Sequence, residues 1–268
     1  MAIEIDELID QLRVIAPREL EEDWDNGGFQ INMRNQQVKR ILVALEITNA
    51  VIEEAVKQNV DFLITHHPLL MEKIDVVDAG TLTGNYITKL IRHGITVYSA
   101  HTSFDSAFGG NNDYLAEILD LKMIRRLKIS TPFGDKELIG RLGCFEKPKT
   151  LKEAASHVES VLELTEAPRI VGKCDAVISK VAICSGSSGG AIDAAIDNDC
   201  DLIVTGDVRH HQAQKSREMG LNIIDAGHYG TEHIFIRNFA GKLRKAIQNR
   251  AVILESNAIV NPFDSMIY

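Results

Sequence analysis

Three short clusters carry most of the side chains able to do chemistry. They are His66-His67-Pro68, His101-Thr102-Ser103-Phe104-Asp105 and His228-Tyr229-Gly230-Thr231-Glu232. His101 and Asp105 are four residues apart, as are His228 and Glu232. On a helical turn such side chains face the same way and can hold one ion between them. Adjacent His66 and His67 would point apart on a regular strand. They converge, or serve two neighbouring ions, only if the strand has ended, and Pro68 favours that ending. The clusters together offer four imidazoles and two carboxylates, with no thiolate. One catalytic ion takes about three protein ligands and keeps an open position for water. Six ligands therefore suit two divalent metal ions, and the chemistry that follows is metal-activated attack by water. Imidazole and carboxylate donors suit zinc, iron, manganese or nickel. Solvated polar loops are the plain alternative. His93 and His157 lie on predicted helices without partners and read as surface histidines.

All three clusters follow predicted buried strands. Apolar runs predict strands over 41–45, 62–65 and 95–100, with helices over 5–15, 49–58, 85–92 and 113–119. The first ~120 residues thus alternate strand and helix, as a parallel α/β lobe does. The middle reads as a strand over 138–145, a helix over 152–162 and a short strand over 169–171. Alternation then resumes with strands over 181–184, 202–204 and 221–224, helices over 191–196 and 211–219, and one long helix over 228–247. The two α/β stretches resemble each other. Asp61-Phe62-Leu63-Ile64-Thr65 lines up with Asp201-Leu202-Ile203-Val204-Thr205, and the segment from Gly94 to Ala100 with that from Gly220 to Ala226. The fold expected is α/β, with two related lobes from an internal duplication and a metal site in the cleft between them. Residues 1–130 form the first lobe and 131–268 the second, as one compact unit without an inserted domain.

Composition bounds the rest. Of 268 residues, 45% are apolar and 25% charged, ordinary for a globular chain and too apolar for a disordered one. The formal charge of -9 gives no strong nucleic-acid signal. No apolar run is long enough for a membrane span, and the acidic start at Glu4, Asp6 and Glu7 predicts no targeting segment. Cys144, Cys174, Cys184 and Cys200 form no Cys-x-x-Cys pair and read as small buried thiols of a cytoplasmic protein.

Weaker signals stand beside the clusters. Ser185-Gly186-Ser187-Ser188-Gly189-Gly190 opens a helix after a strand, so it reads either as a phosphate cradle or as a tight turn. Arg209, His210, His211 and Lys215 offer charge for an anionic substrate, with a solvated helix face the plainer reading. Trp24, beside Asp25-Asn26-Gly27-Gly28, either closes a pocket or packs against a turn.

At these residues the chain resembles a known family. Thr65-His66-His67-Pro68-Leu69, Ala100-His101-Thr102-Ser103-Phe104-Asp105 and Gly109-Gly110-Asn111-Asn112-Asp113 match its N-terminal motifs. Asp225-Ala226-Gly227-His228-Tyr229-Gly230-Thr231-Glu232 matches its C-terminal one, and Trp24-Asp25-Asn26-Gly27-Gly28 and Asn261-Pro262-Phe263 also look like it. The family is the Nif-three-like dinuclear metal proteins, often labelled GTP cyclohydrolase I type 2 homologues. The resemblance implies the same six ligands: His66, His67, His101, Asp105, His228 and Glu232. It implies a homohexamer, and a nucleotide or phosphorylated small molecule as substrate. The label implies hydrolytic opening of the GTP purine ring. Glu46 stands where the family usually has Asp, and is the candidate catalytic base. Tyr114 replaces a usual Trp, and Ser103-Phe104 a usual Asn-Leu pair. The alternative function is a non-catalytic protein that binds or delivers metal, or a regulatory interaction protein.

Overall fold

The structure is a computed structural model and describes all residues except Phe133, Ser188, Gly189 and 264–268. The chain packs as two compact units. Met1–Gly110 and Phe235–Pro262 form the first, and Asn111–Ile234 is the body of the second. The expected division at residue 130 therefore falls elsewhere, at Gly110, and the chain returns to the first unit at Phe235. Leu115, Ala116 and Leu119 pack in the second unit's core, which puts the division before Asn111, and the return at Phe235 serves a strand that the sequence pattern did not reveal. Val252–Glu255 pairs parallel to Arg40–Ala44, with Val252 opposite Arg40 and Glu255 opposite Val43.

The first unit is built on a five-stranded sheet. Its order is Val252–Glu255, Arg40–Ala44, Phe62–Thr65, Thr96–Ser99, Gly28–Ile31. The first four run parallel and Gly28–Ile31 is an antiparallel edge. Phe62–Thr65 and Thr96–Ser99 are buried at every position, as expected of parallel strands covered on both faces. Helices Ile5–Ile15, Asn49–Lys57 and Leu82–Arg92 each bury one apolar stripe. Thr48 and Thr81 start the last two by accepting from Val51 N and Gly84 N.

The second unit holds a six-stranded sheet. Its order is Lys122–Thr131, Gly134–Thr150, Val177–Ser187, Leu202–Gly206, Asn222–Asp225, Arg169–Val171. The central three strands are parallel and the others antiparallel. The strand expected over 138–145 is one part of a long hairpin arm, whose partner Lys122–Thr131 is mostly exposed, with only Leu127 buried and Ile129 packed beside the core, so its apolar alternation is short. Leu151–Val161 opens on a capping box between Thr150 and Glu153. The helix expected over 228–247 is two helices, His228–Glu232 and Ile234–Ala246.

Each unit repeats the same local devices. Asp61 Oδ2 accepts from Lys39 N and Arg40 N at 2.7 and 2.9 Å, tying the start of one strand to its neighbour. Asp201 Oδ2 accepts from Ser179 N and Lys180 N at 2.9 and 2.7 Å. Asn59 and Asp199, two residues earlier, both take positive φ (52° and 49°) to leave the preceding helix. At the other strand ends Ala100 N donates to Thr65 O, and Ala226 N to Thr205 O, both at 2.9 Å.

Removing the Asp61 carboxylate takes away the acceptor of the Lys39 and Arg40 amides. Asp61→Ala is expected to lower unfolding free energy by about 1.5–3 kcal/mol, the range for hydrogen bonds to a charged group. A urea midpoint unchanged from wild type would contradict this.

Candidate metal centre

Parallel strands place their carboxyl ends on one edge, and the first unit's polar cluster grows from that edge. His66 and His67 follow Phe62–Thr65, and both backbone amides turn to the carbonyl of Leu45, at 3.0 and 2.9 Å. The ladder has ended, so the two rings no longer point apart; their centroids lie 5.1 Å from each other. The carbonyl of His67 is held by Thr65 Oγ1 at 2.8 Å and Ser99 Oγ at 3.3 Å. His101 follows Thr96–Ser99, with its ring 5.0 Å from that of His66 and 5.6 Å from that of His67. One ligand atom from each of these three histidines lies within 4.8 Å of the others, a spacing one ion can span. Asp105 is carried by the one-turn helix Thr102–Ser106, and its Oδ2 stands 3.7 Å from His66 Nε2. Phe104 locks that helix by packing edge-on against Phe235 and Phe239. His66 and Asp105 are both buried, at 0% and 2% exposure, where a lone carboxylate is costly and a cation beside it is favourable.

The Nδ1 partners decide which ring atom faces a ligand. His66 Nδ1 lies 3.1 Å from Ala100 O, a carbonyl that can only accept, so Nδ1 carries the proton and Nε2 the lone pair. His101 Nδ1 lies 2.8 Å from Asp25 Oδ1. Asp25 also accepts from Thr102 N at 3.0 Å and from the Thr102 hydroxyl at 2.5 Å. Burial pushes the Asp25 carboxyl up, but the hydrogen bond and charge of His101 and the bonds from Thr102 outweigh it and bring it down to about 2. A metal-ligating histidine is typically oriented by such a carboxylate or carbonyl on its other nitrogen. The sequence reading missed Asp25 in this role, although it sits inside the Trp24-Asp25-Asn26-Gly27-Gly28 motif.

The second unit builds its cluster the same way. Gly227, at φ 78° and ψ 157°, turns the chain from Asn222–Asp225 into the helix His228–Glu232. His228 Nδ1 lies 2.7 Å from Asp207 Oδ2, and His228 Nε2 lies 3.0 Å from Glu232 Oε2. The hydrogen bond to Glu232, opposed by burial and aided by the charges of Glu232 and Asp207, pushes the His228 imidazole up to about 9. A divalent cation there would engage the same two atoms, Nε2 and the Glu232 carboxylate, in place of a proton. Asp207, at φ 52°, is a second orienting carboxylate that the spacing argument did not find. Gly186 leaves room for the pair, since a Cβ on it would collide with Glu232 Oε1 and lie 3.3 Å from His228 Nε2. Both donor sets fit a metal ion: imidazole lone pairs set by Nδ1 bonds, beside carboxylates of 2% and 3% exposure.

A sequence profile of Duf34/NIF3 (NGG1p interacting factor 3) matches residues 3–262. The chain belongs to the Duf34/NIF3 family. A Clostridium perfringens protein named GTP cyclohydrolase 1 type 2 homolog is 34% identical over 262 residues, covering 98% of this chain and 99% of that one. A namesake from Clostridium acetobutylicum is also 34% identical, over 97% of this chain and 98% of its own. Among solved structures, a Bacillus cereus protein related to NIF3 superposes with TM-score 0.89 at 23% identity, covering 98% of this chain and 99% of that one, which shows the fold. Reduced HcgD from Methanocaldococcus jannaschii superposes with TM-score 0.81 at 29% identity, over 96% and 99%.

In this Duf34/NIF3 chain the remaining candidates fall as follows. Glu46 is half-buried just past the carboxyl end of Arg40–Ala44, next to Leu45, whose carbonyl holds the amides of His66 and His67. In the glycine-serine segment the strand runs on to Ser187, and Ser188 and Gly189 lie outside the described residues. Arg209, His210 and His211 are exposed at the start of His210–Met219, and Lys215 pairs with Asp193 at 2.8 Å. Trp24 is 61% exposed and meets the His101 ring edge-on at 5.8 Å. None of the four cysteines is in a disulfide; Cys184 and Cys200 are buried as expected, but Cys144 is half-buried and Cys174 exposed, and burial pushes the Cys200 thiol up to about 12. No described helix is long and apolar enough to cross a membrane.

Two outcomes follow from this geometry. Gly186→Ala, at φ 68°, is expected to cost about 1–2 kcal/mol of stability from its backbone alone and to abolish ion uptake by His228 and Glu232. Calorimetric titration with zinc unaltered from wild type would contradict it. The folded Asp25 carboxyl titrates below its ordinary 3.8, so its stabilisation is complete above 3.8 and is lost as pH falls through about 2. The stability gap between wild type and Asp25→Asn should be level at neutral pH and close on acidification below 3.8.

Proposed function

We propose that the protein is a cytoplasmic, dinuclear metal-dependent hydrolase of the GTP cyclohydrolase I type 2 kind. His66, His67, His101 and Asp105 from one lobe and His228 and Glu232 from the other hold two divalent ions, of zinc, iron, manganese or nickel type. The observation that carries the reading is the orientation of His66 and His101, whose Nδ1 atoms are engaged by Ala100 O and Asp25. Their Nε2 atoms are then the ligand atoms. The repeated aspartate ties and matching strand ends support two lobes related by duplication.

Bound ions of this kind supply Lewis acidity and a water acidic enough to deprotonate near neutral pH. The chain's own residues do the rest. Asp25 and Asp207 hold two imidazoles in one tautomer. Buried Asp105 and Glu232 balance cationic charge without solvent competition. Glu46, two residues past the strand Arg40–Ala44, is the proposed base for a reacting water. The names of the Clostridium relatives suggest GTP or a related phosphorylated purine, attacked on its ring with release of formate. A homohexamer is proposed as the working assembly, and a solution mass near one 29.7 kDa subunit would refute it.

The test is formate release from GTP by protein loaded with each of the four metals. Wild type should turn over, and Glu232→Gln should reduce turnover by more than about tenfold, the lower bound for disturbing even an outer-sphere partner. Two bound ions without turnover of GTP or any phosphoester would favour a metal-binding, metal-delivery or regulatory interaction protein instead.

A further inference from the structure

The two aspartates that orient ligand histidines sit on irregular backbone, and each is followed by a residue gripped at both its polar backbone atoms. In the first unit the gripped residue is Gly27, two past Asp25. Its N–H donates to Glu21 Oε1 at 3.1 Å, and its carbonyl accepts from Arg18 Nη1. Arg18 and Glu21 are themselves paired, Nε to Oε2 at 2.8 Å, across the short helix Arg18–Leu20. In the second unit the gripped residue is Val208, one past Asp207. Its N–H donates to Asp225 Oδ2 at 3.3 Å, and its carbonyl accepts from Arg169 Nη2 at 3.4 Å. Arg169 and Asp225 are paired, and they stand opposite each other in the register of Arg169–Val171 against Asn222–Asp225. Asp225 also takes Gly227 N on Oδ1 at 3.1 Å, so one carboxylate fixes the residue before His228 and the residue after Asp207.

The same device, an arginine–carboxylate pair closing on one residue beside the orienting aspartate, thus appears in both units on unrelated local sequence. In the first, the space for it is made by glycine. A Cβ on Gly27 would stand 2.6 Å from Glu21 Oε2, and one on Gly28, at φ 82°, would strike Arg18 Nη1. The acceptor carboxylates are deeply placed, with side-chain exposures of 9% for Glu21 and 5% for Asp225. Arg18 divides its contacts between Nη1 and Nε, and Arg169 makes both from Nη2; in each a planar guanidinium meets a carboxylate and a carbonyl at once and holds geometry better than a neutral donor.

We infer that Arg18 with Glu21, and Arg169 with Asp225, are positioning residues that hold Asp25 and Asp207 against His101 and His228, and so set the ion affinity of each half-site separately. The inference rests on the metal reading given above. Its test titrates cobalt(II) into chelator-stripped, full-length protein, followed by the visible absorption of bound cobalt. The chains compared are wild type, Arg18→Met, Arg169→Met and the two lysine variants, each with its thermal midpoint recorded. Each methionine variant should weaken a different one of two binding events by about tenfold, the lower end for outer-sphere partners, and leave the other event in place. Lysine, which keeps the charge but not the fork, should restore part of that loss. Two wild-type-like events in either variant would overturn the inference, as would equal loss of both events in step with the thermal midpoint. A wild-type chain with no two-step uptake would overturn the metal reading itself, and that result is distinct from failure of the clamps alone. If a methionine variant does not fold, Glu21→Gln and Asp225→Asn test the same clamps from the carboxylate side, with the same outcomes.

Discussion

An imidazole has two nitrogens, and what one of them bonds determines what the other can do. In this protein that constraint shapes the surroundings of three histidines. His66 gives Nδ1 to a backbone carbonyl, His101 gives it to Asp25, and His228 gives it to Asp207. Each choice turns Nε2 toward other ligand atoms. For His66 the neighbour is Asp105, and for His228 it is Glu232. The parallel strands matter because they bring chain ends with unspent polar groups to one edge. The buried hydroxyls of Thr65 and Ser99 then hold the carbonyl of His67, so the turn after the strand is fixed. Phe104 and Phe235 act more indirectly, through the edge-on ring contact that anchors the helix carrying Asp105.

This arrangement is expensive for a fold without cations. Asp105 and Glu232 are as buried as core leucines. Burying a carboxylate costs several kcal/mol unless opposite charge accompanies it. The hydrogen bond to Glu232 draws the His228 imidazole above its ordinary range, the direction expected where a buried carboxylate favours a cation beside it. The same site is therefore polarised toward a cation, whichever cation occupies it.

The candidate ligand clusters were legible in the sequence because their signals are local. A histidine directly after a buried strand, with a carboxylate four residues on, needs only chain geometry to be read. Most strands and helices of the parallel cores were legible for the same reason, through apolar runs such as Phe62–Thr65. Asp25 and Asp207 were not, since each meets its histidine across 76 and 21 residues and carries no periodic mark. The strand Lys122–Thr131 escaped because it is mostly exposed and charged, with Leu127 its one buried residue, and Val252–Glu255 because its pairing partner lies far away in the chain. The latter also explains the chain's return to the first unit at Phe235, which depends on a long-range pairing rather than on composition. Glu46 was found by resemblance, and its place beside Leu45 follows from the strand it ends.

The central claim is that Nε2 of the histidines, not Nδ1, meets the ions. A crystal structure of metal-loaded protein with anomalous data at the metal edge tests it most directly. Two anomalous peaks, with His66 and His101 bound through Nε2 and their Nδ1 atoms still on Ala100 O and Asp25, are what the account predicts. Ligation through Nδ1, with the Asp25 contact broken, or no peak near these histidines, would contradict it.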